Sequence, residues 1–111
     1  GQPSARAALR AGPLTLDLRG RDAFVHGQPL GLRPKEFALL RVLADNLGQI
    51  VAPARLAALV WGRPLAPGSQ TLTVHIHRLR AKLDHAAHLG AHLRAKHGAG
   101  YLLSPDLRRE S

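Results

Sequence analysis

A chain of 111 residues with 16 Lys and Arg against 7 Asp and Glu, a formal net charge of +9, has the length of one domain with a single buried core and the charge of a polyanion binder. Thirteen of the cations are Arg, whose planar fork suits phosphate and guanine better than an ammonium does. The absence of Cys excludes disulfides and thiolate metal sites, and no stretch approaches the ~20 apolar residues that span a bilayer, so a soluble, cytoplasmic protein without a membrane partner is expected.

The opening GQPSARAALRAG is small, polar and unpatterned, and lacks the apolar segment of a signal peptide. Residues 1–12 are therefore assigned to a linker or remnant outside the fold, 13–104 to the domain and 105–111 to a tail. Leu14, Leu16 and Leu18 alternate with Thr15 and Asp17, the pattern of a half-buried strand. Ala23 to Val25 and Pro29 to Leu32, on either side of His26-Gly27-Gln28, predict two more strands and a small antiparallel meander. A helix from about Pro34 to Asn46 follows, with Pro34 presetting φ and Glu36 placing an acid near the positive end. Its expected buried face is Phe37, Leu40, Val42 or Leu43, and Leu47. Arg33 stands where a Ser or Thr cap is expected, forfeiting part of a stabilisation of about 1 kcal/mol. Pro53 opens a second helix carrying Leu56, Leu59, Val60 and Trp61, and Gly62 ends it. Arg63, Pro64, Leu65, Ala66, Pro67 and Gly68 are too rich in Pro and Gly for regular structure and predict a shaped loop.

The third helix, from Ser69 to Leu83, carries the most information. At about 100° per residue, Leu72, Ile76, Leu79 and Leu83 fall within about 60° of one another and must pack inward. Thr71, Val74, His75, Arg78 and Lys82 point away from that seam. Short polar groups, a methyl-bearing residue and an Arg on a leucine-anchored helix are the side chains that suit base edges and phosphates in a major groove. Any amphipathic helix with a solvated face would give a similar wheel. Beyond Asp84 the chain winds down to Gly90. Ala91 to Lys96 and Tyr101 to Leu103 then predict a hairpin across His97-Gly98-Ala99-Gly100, with Gly98 and Gly100 free to take positive φ.

Enzyme chemistry finds no support. The seven acids Asp17, Asp22, Glu36, Asp45, Asp84, Asp106 and Glu110 are scattered singly, and no nucleophile with a base and no glycine-rich phosphate loop is present. His85, His88 and His92, at i, i+3 and i+7, could gather zinc or nickel if the helix ran on, but Gly90 interrupts it and no Cys or well-placed carboxylate completes a tetrahedral site. Neither a metal nor a cofactor is expected.

With these elements in order, four segments resemble the effector domain of the OmpR/PhoB family of bacterial response regulators over about Leu14 to Leu103. They are LRPKEFALLRVL, GQIVAPARLAALVWG, TLTVHIHRLRAKL and HGAGYLL. The resemblance implies an α+β fold, a winged helix-turn-helix with an N-terminal antiparallel sheet, three helices and a C-terminal β-hairpin wing. It implies sequence-specific binding of double-stranded DNA and transcription regulation as the output domain of a two-component response regulator. It also implies a dimer on direct repeats and a receiver domain in the full-length protein. Val74 and Arg78 take the places of major-groove base contacts, and Thr71, His75 and Arg80 those of phosphate or groove-edge contacts. Gln70 sits where some members carry a phosphate-binding Arg, and Thr73, Lys82, Arg94 and Lys96 are further candidates. Where the family usually reads TVRGxGY, this chain reads Ala95-Lys96-His97-Gly98-Ala99-Gly100-Tyr101, so the Arg aimed at the minor groove is His97, a shorter and mostly neutral group. Lys96 also replaces a commonly buried Val, which puts the strand's alternation in question, while Tyr101 reads as a core aromatic with a wet hydroxyl. The loop from Arg63 to Gly68 occupies the place of the transactivation loop that touches RNA polymerase; Trp61 beside it reads as core. The rivals are a winged-helix protein-interaction module without sequence-specific DNA binding and a basic RNA-binding domain. The second is disfavoured because Phe24, Phe37, Trp61 and Tyr101 are mostly needed inside.

Overall fold

The computed structural model describes residues 7–110. Four antiparallel strands open it in the order β1 (Ala8–Ala11), β2 (Leu14–Asp17), β3 (Asp22–Val25) and β4 (Gln28–Pro29). Leu14 and Leu16 of β2 stand opposite Val25 and Ala23 of β3, and all four are buried, so the alternation read along Leu14 to Leu18 gives the sheet one inward face. Strand β1 corrects the expectation that residues 1–12 lie outside the fold. Ala8 pairs with Asp17 and Ala11 with Leu14, and Leu18 N–H donates to Ala7 O at 2.8 Å. This strand is held chiefly by backbone groups on the edge of β2, with Ala11 buried and Leu9 half-buried, and side-chain patterning carries no trace of such pairing. Residues 1–6 lie outside the described residues. Strand β4 is shorter than Pro29 to Leu32 because the Asp22 carboxylate accepts the N–H groups of Gly31 and Leu32 at 3.1 and 3.0 Å, turning the chain towards the first helix.

Helix α1 (Pro34–Asp45) has Pro at its first position, and Glu36 Oε1 accepts the Arg33 N–H at 2.8 Å. A guanidinium has no acceptor, so the reciprocal half of a capping box is missing. The buried face is Glu36, Phe37, Leu39, Leu40, Leu43 and Ala44, while Val42 and Leu47 are half-buried. Helix α2 (Pro53–Trp61) buries Leu56, Ala57 and Val60 but leaves Leu59 56% exposed. Helix α3 (Thr71–Ala87) runs one turn past Leu83 and buries the expected seam of Leu72, Ile76, Leu79 and Leu83.

After a 3-10 turn at Gly90–His92, β5 (Leu93–Lys96) and β6 (Gly100–Leu103) form the hairpin. Val51, in the link between α1 and α2, exchanges hydrogen bonds of 2.8 and 3.1 Å with Tyr101 and fastens the hairpin to the core. Gly100 makes this possible: it has φ +144°, and a Cβ there would lie 2.1 Å from Val51 O. The stretch from Pro105 to Glu110, assigned to a tail, also packs on the fold. Ser104 Oγ accepts the Asp106 N–H at 3.2 Å, a 3-10 turn covers Pro105–Arg109, and Leu107 is fully buried against the core.

Candidate nucleic-acid interface

On α3 as far as Leu83 the exposed positions are Thr73, Val74, His77, Arg78 and Ala81, a band opposite the buried seam. Val74 is 39% exposed, one of three large apolar side chains so placed among the described residues. The Arg78 guanidinium forms no hydrogen bond or ion pair among the described residues and is free to meet a ligand. Ser69 shapes the start of the helix: its hydroxyl accepts the Thr71 N–H at 3.2 Å and donates to Thr71 Oγ1 at 2.9 Å, while Gln70, exposed at the N-cap, caps nothing with its side chain.

One flank of this band faces α1 and α2. The His75 Nδ1 lies 2.7 Å from Thr71 O; a carbonyl only accepts, so Nδ1 carries the proton and Nε2 is the free ring nitrogen. The ring stands edge-on to Trp61, centroids 5.2 Å apart, which keeps half-buried Trp61 at the rim of the core. Lys82 was expected to face outward with Arg78, and its placement is a correction. Its ammonium donates to Glu36 Oε1 at 2.5 Å and to Gly31 O at 2.9 Å. Glu36 is 1% exposed. Burial pushes its carboxyl up, but the Lys82 hydrogen bond, the Arg33 N–H and the charges of Lys82 and Arg33 outweigh burial and hold it below the ordinary value. Lys82 is thus committed to joining α3 to α1. The second carboxylate oxygen, Oε2, is buried without a partner among the described residues, in the wall of a groove lined by Arg33, Glu36, Arg78, Ala81 and Lys82.

The other flank faces the hairpin. Arg80 Nε donates to Leu93 O at 2.9 Å, so half-buried Arg80 positions β5 against α3 before it can reach anything else. Arg94 leans towards the chain end, with Nε 3.4 Å from Ala91 O and a terminal nitrogen 3.8 Å from Asp106. Lys96 and His97 are exposed and unpaired among the described residues, and the Ala99 N–H closes the turn on Lys96 O at 2.9 Å. Of β5 only Leu93 is buried; Arg94, Ala95 and Lys96 all stand in solvent because the hairpin projects past the core, so the strand does not alternate inward and outward at Lys96. Tyr101 is half-buried against the core.

The loop from Arg63 to Gly68 is exposed except at Leu65, which with Pro53, Ala57, Leu72 and Tyr101 lines a shallow apolar recess. The three histidines considered for metal do not converge. His85 lies in the last turn of α3, His88 leaves it with φ +56°, and His92 Nε2 faces Glu110 at 3.1 Å; among the described residues no group of three metal-binding side chains is found. No helix among them is long and apolar enough to cross a membrane. Two basic positions went unnoticed in the sequence. His77, about 140° round the wheel from Leu72, was legible from the periodicity. Lys35, whose ammonium donates to Val60 O at 3.2 Å and ties α1 to α2, was not.

A four-stranded sheet, three helices with the third displaying a polar face, and a hairpin beside it define a winged helix-turn-helix domain. The chain belongs to the family described as "Transcriptional regulatory protein, C terminal", whose profile matches residues 27–103. It is 37% identical over 95 residues to the sensory transduction protein RegX3 of Mycolicibacterium smegmatis, covering 86% of this chain and 42% of that protein. The chain thus spans less than half the length of such curated relatives. Among solved structures it is similar to the DNA-binding domain of CpxR from E. coli, with a TM-score of 0.75, 34% identity and coverage of 87% and 95% of the two chains. It is likewise similar to the Klebsiella pneumoniae RstA DNA-binding domain in complex with the RstA box, with a TM-score of 0.77, 28% identity and coverage of 88% and 97%. The resemblance to OmpR/PhoB regulators and the winged-helix fold are borne out, and the family is one of regulators, not enzymes.

Proposed function

We propose that this domain binds double-stranded DNA sequence-specifically and regulates transcription as the output domain of a two-component response regulator. The observation that carries the reading is α3 itself, a helix anchored by four buried aliphatic residues that shows Thr73, Val74, His77 and an unpaired Arg78 to solvent. In this reading α3 enters the major groove, Arg78 reads a guanine edge through two parallel hydrogen bonds, and Val74 meets a thymine methyl. Gln70, Thr71, Thr73, His75 and Arg80 line the groove edges. Arg94, Lys96 and His97 place the hairpin against the neighbouring backbone and minor groove. The RstA domain, solved with its DNA box, supports the assignment by its likeness in fold. The loop from Arg63 to Gly68 would meet RNA polymerase, two copies would occupy direct repeats, and a receiver domain would complete the cytoplasmic protein.

Selection from a random duplex pool, followed by titration of affinity against salt, tests this. Enrichment of one motif is expected. A slope of log K against log salt near −4 is expected as well, at ~0.9 per neutralised phosphate for about four or five phosphates. An unenriched pool and a slope near zero would refute the reading and favour a protein-interaction module.

A further inference from the structure

We propose that Arg33, outside the recognition helix, is a second anchor on the DNA backbone, and that the groove between α1 and α3 lined by Arg33, Glu36, Arg78, Ala81 and Lys82 seats a phosphate. The proposal rests on the DNA-binding reading above and adds to it a residue from α1's N-cap. At that cap a Ser, Thr, Asp or Asn side chain would accept an otherwise unpaired N–H; Arg carries donors only, so the cap is given up. The fold recovers from the exchange only the pull of the Arg33 charge on Glu36. The Arg33 side chain is exposed and makes no hydrogen bond or ion pair among the described residues, although Glu36 lies in the same groove, because Glu36 Oε1 is already taken by the Arg33 N–H and by Lys82.

The groove opens on the outward band of α3, since it shares Arg78 and Ala81 with that band, and the Ala81 methyl leaves it unobstructed. Its space of about 340 Å³ admits a phosphate group. Three cations and one carboxylate line it. The carboxylate is paired with Lys82 and Arg78 is reserved for the base edge, so Arg33 is left as the guanidinium whose planar fork can grip phosphate oxygens, its charge offset only in part by Glu36. Glu36 Oε2, buried and unpartnered, supplies an acceptor for the inner edge of a guanidinium whose outer edge holds the phosphate.

Arg33→Thr separates this role from a structural one, because it restores the cap while removing the charge. Stability and affinity should then move in opposite directions. The variant should melt about 4 °C higher. It should bind cognate and random duplexes alike roughly 5-fold more weakly at about 0.15 M salt, with a slope shallower by ~0.9, the effect of one phosphate. The motif selected from a random pool should not change. Arg10→Thr, an equal charge loss on the outermost strand β1, should leave the slope alone, and Arg33→Lys should retain most of it. A steep wild-type slope that Arg33→Thr leaves unaltered, or that Arg10→Thr reduces equally, overturns the proposal and spares the DNA reading. A lower melting temperature in Arg33→Thr overturns it by giving the guanidinium a folding role. A flat wild-type slope removes both.

Discussion

Lys82→Met separates two readings of the same cation, a DNA contact and an internal brace. Met keeps most of the stem and removes the ammonium, leaving Glu36 Oε1 with only the Arg33 N–H and Oε2 with nothing. Breaking a fully buried ion pair by removing one partner costs about 3–5 kcal/mol. Glu36 is 1% exposed, but the Lys82 side chain is 29% exposed, so water can hydrate part of the freed carboxylate, and the expected loss is about 2 kcal/mol. For a domain of this size that lowers the melting temperature by about 10 °C. The loss should depend on pH in a definite sense. Glu36 has a folded-state pKa below its ordinary value of 4.5, so the pair contributes in full above that value and its contribution is lost as pH falls through the lower, folded one. The wild-type advantage over Lys82→Met should therefore be complete at pH 7 and shrink below about pH 4.5. Thermal and urea unfolding across pH 3 to 7 measure it, and duplex binding against salt, under conditions in which the variant is folded, should show an unchanged slope. A variant as stable as wild type whose slope is shallower by ~0.9 would refute the brace and return Lys82 to the DNA face.

Two other expectations are open to direct measurement. Arg78→Ala should cost ~1–3 kcal/mol on a cognate duplex and flatten preference at one base position, whereas Arg94→Ala, already leaning on Asp106, should weaken all duplexes slightly and leave preference intact; a competition assay in which the two behave alike would move the recognition face elsewhere. Gly100→Ala should destabilise by about 3 kcal/mol or more, because the new Cβ meets Val51 O at a backbone angle that L residues avoid, while Gly98→Ala, with φ +74° and open space around it, should cost about 1 kcal/mol; equal melting temperatures would mean that the Val51 bridge does not hold the hairpin.

The sequence by itself determined the helices and their order, because burial of apolar side chains imposes a period that can be read without neighbours. Leu72, Ile76, Leu79 and Leu83 are the clearest case, and Val74 and Arg78 follow from them as the opposite face. Pro34, Pro53 and Gly62 marked helix ends for similarly local reasons. Strand β1 left no such mark. Its residues ALRA are held through main-chain groups, which every residue possesses, and only the exposed edge of β2 made them a strand. The turn at Pro105–Arg109 likewise depended on a cleft into which Leu107 could close.

On the interface, the tertiary structure decided which cations are free. A helical wheel assigns an angle to each residue and is silent about what stands at that angle. His75, Lys82 and Arg80 all lie on flanks of α3, and there they met Trp61, Glu36 and the Leu93 carbonyl. Arg33 had no claim on the site until packing set α1 beside α3. Charge acts through space, so a cation's role follows from the groups within a few ångströms of it, and only the folded chain brings Glu36 to Lys82 across a sequence separation of 46.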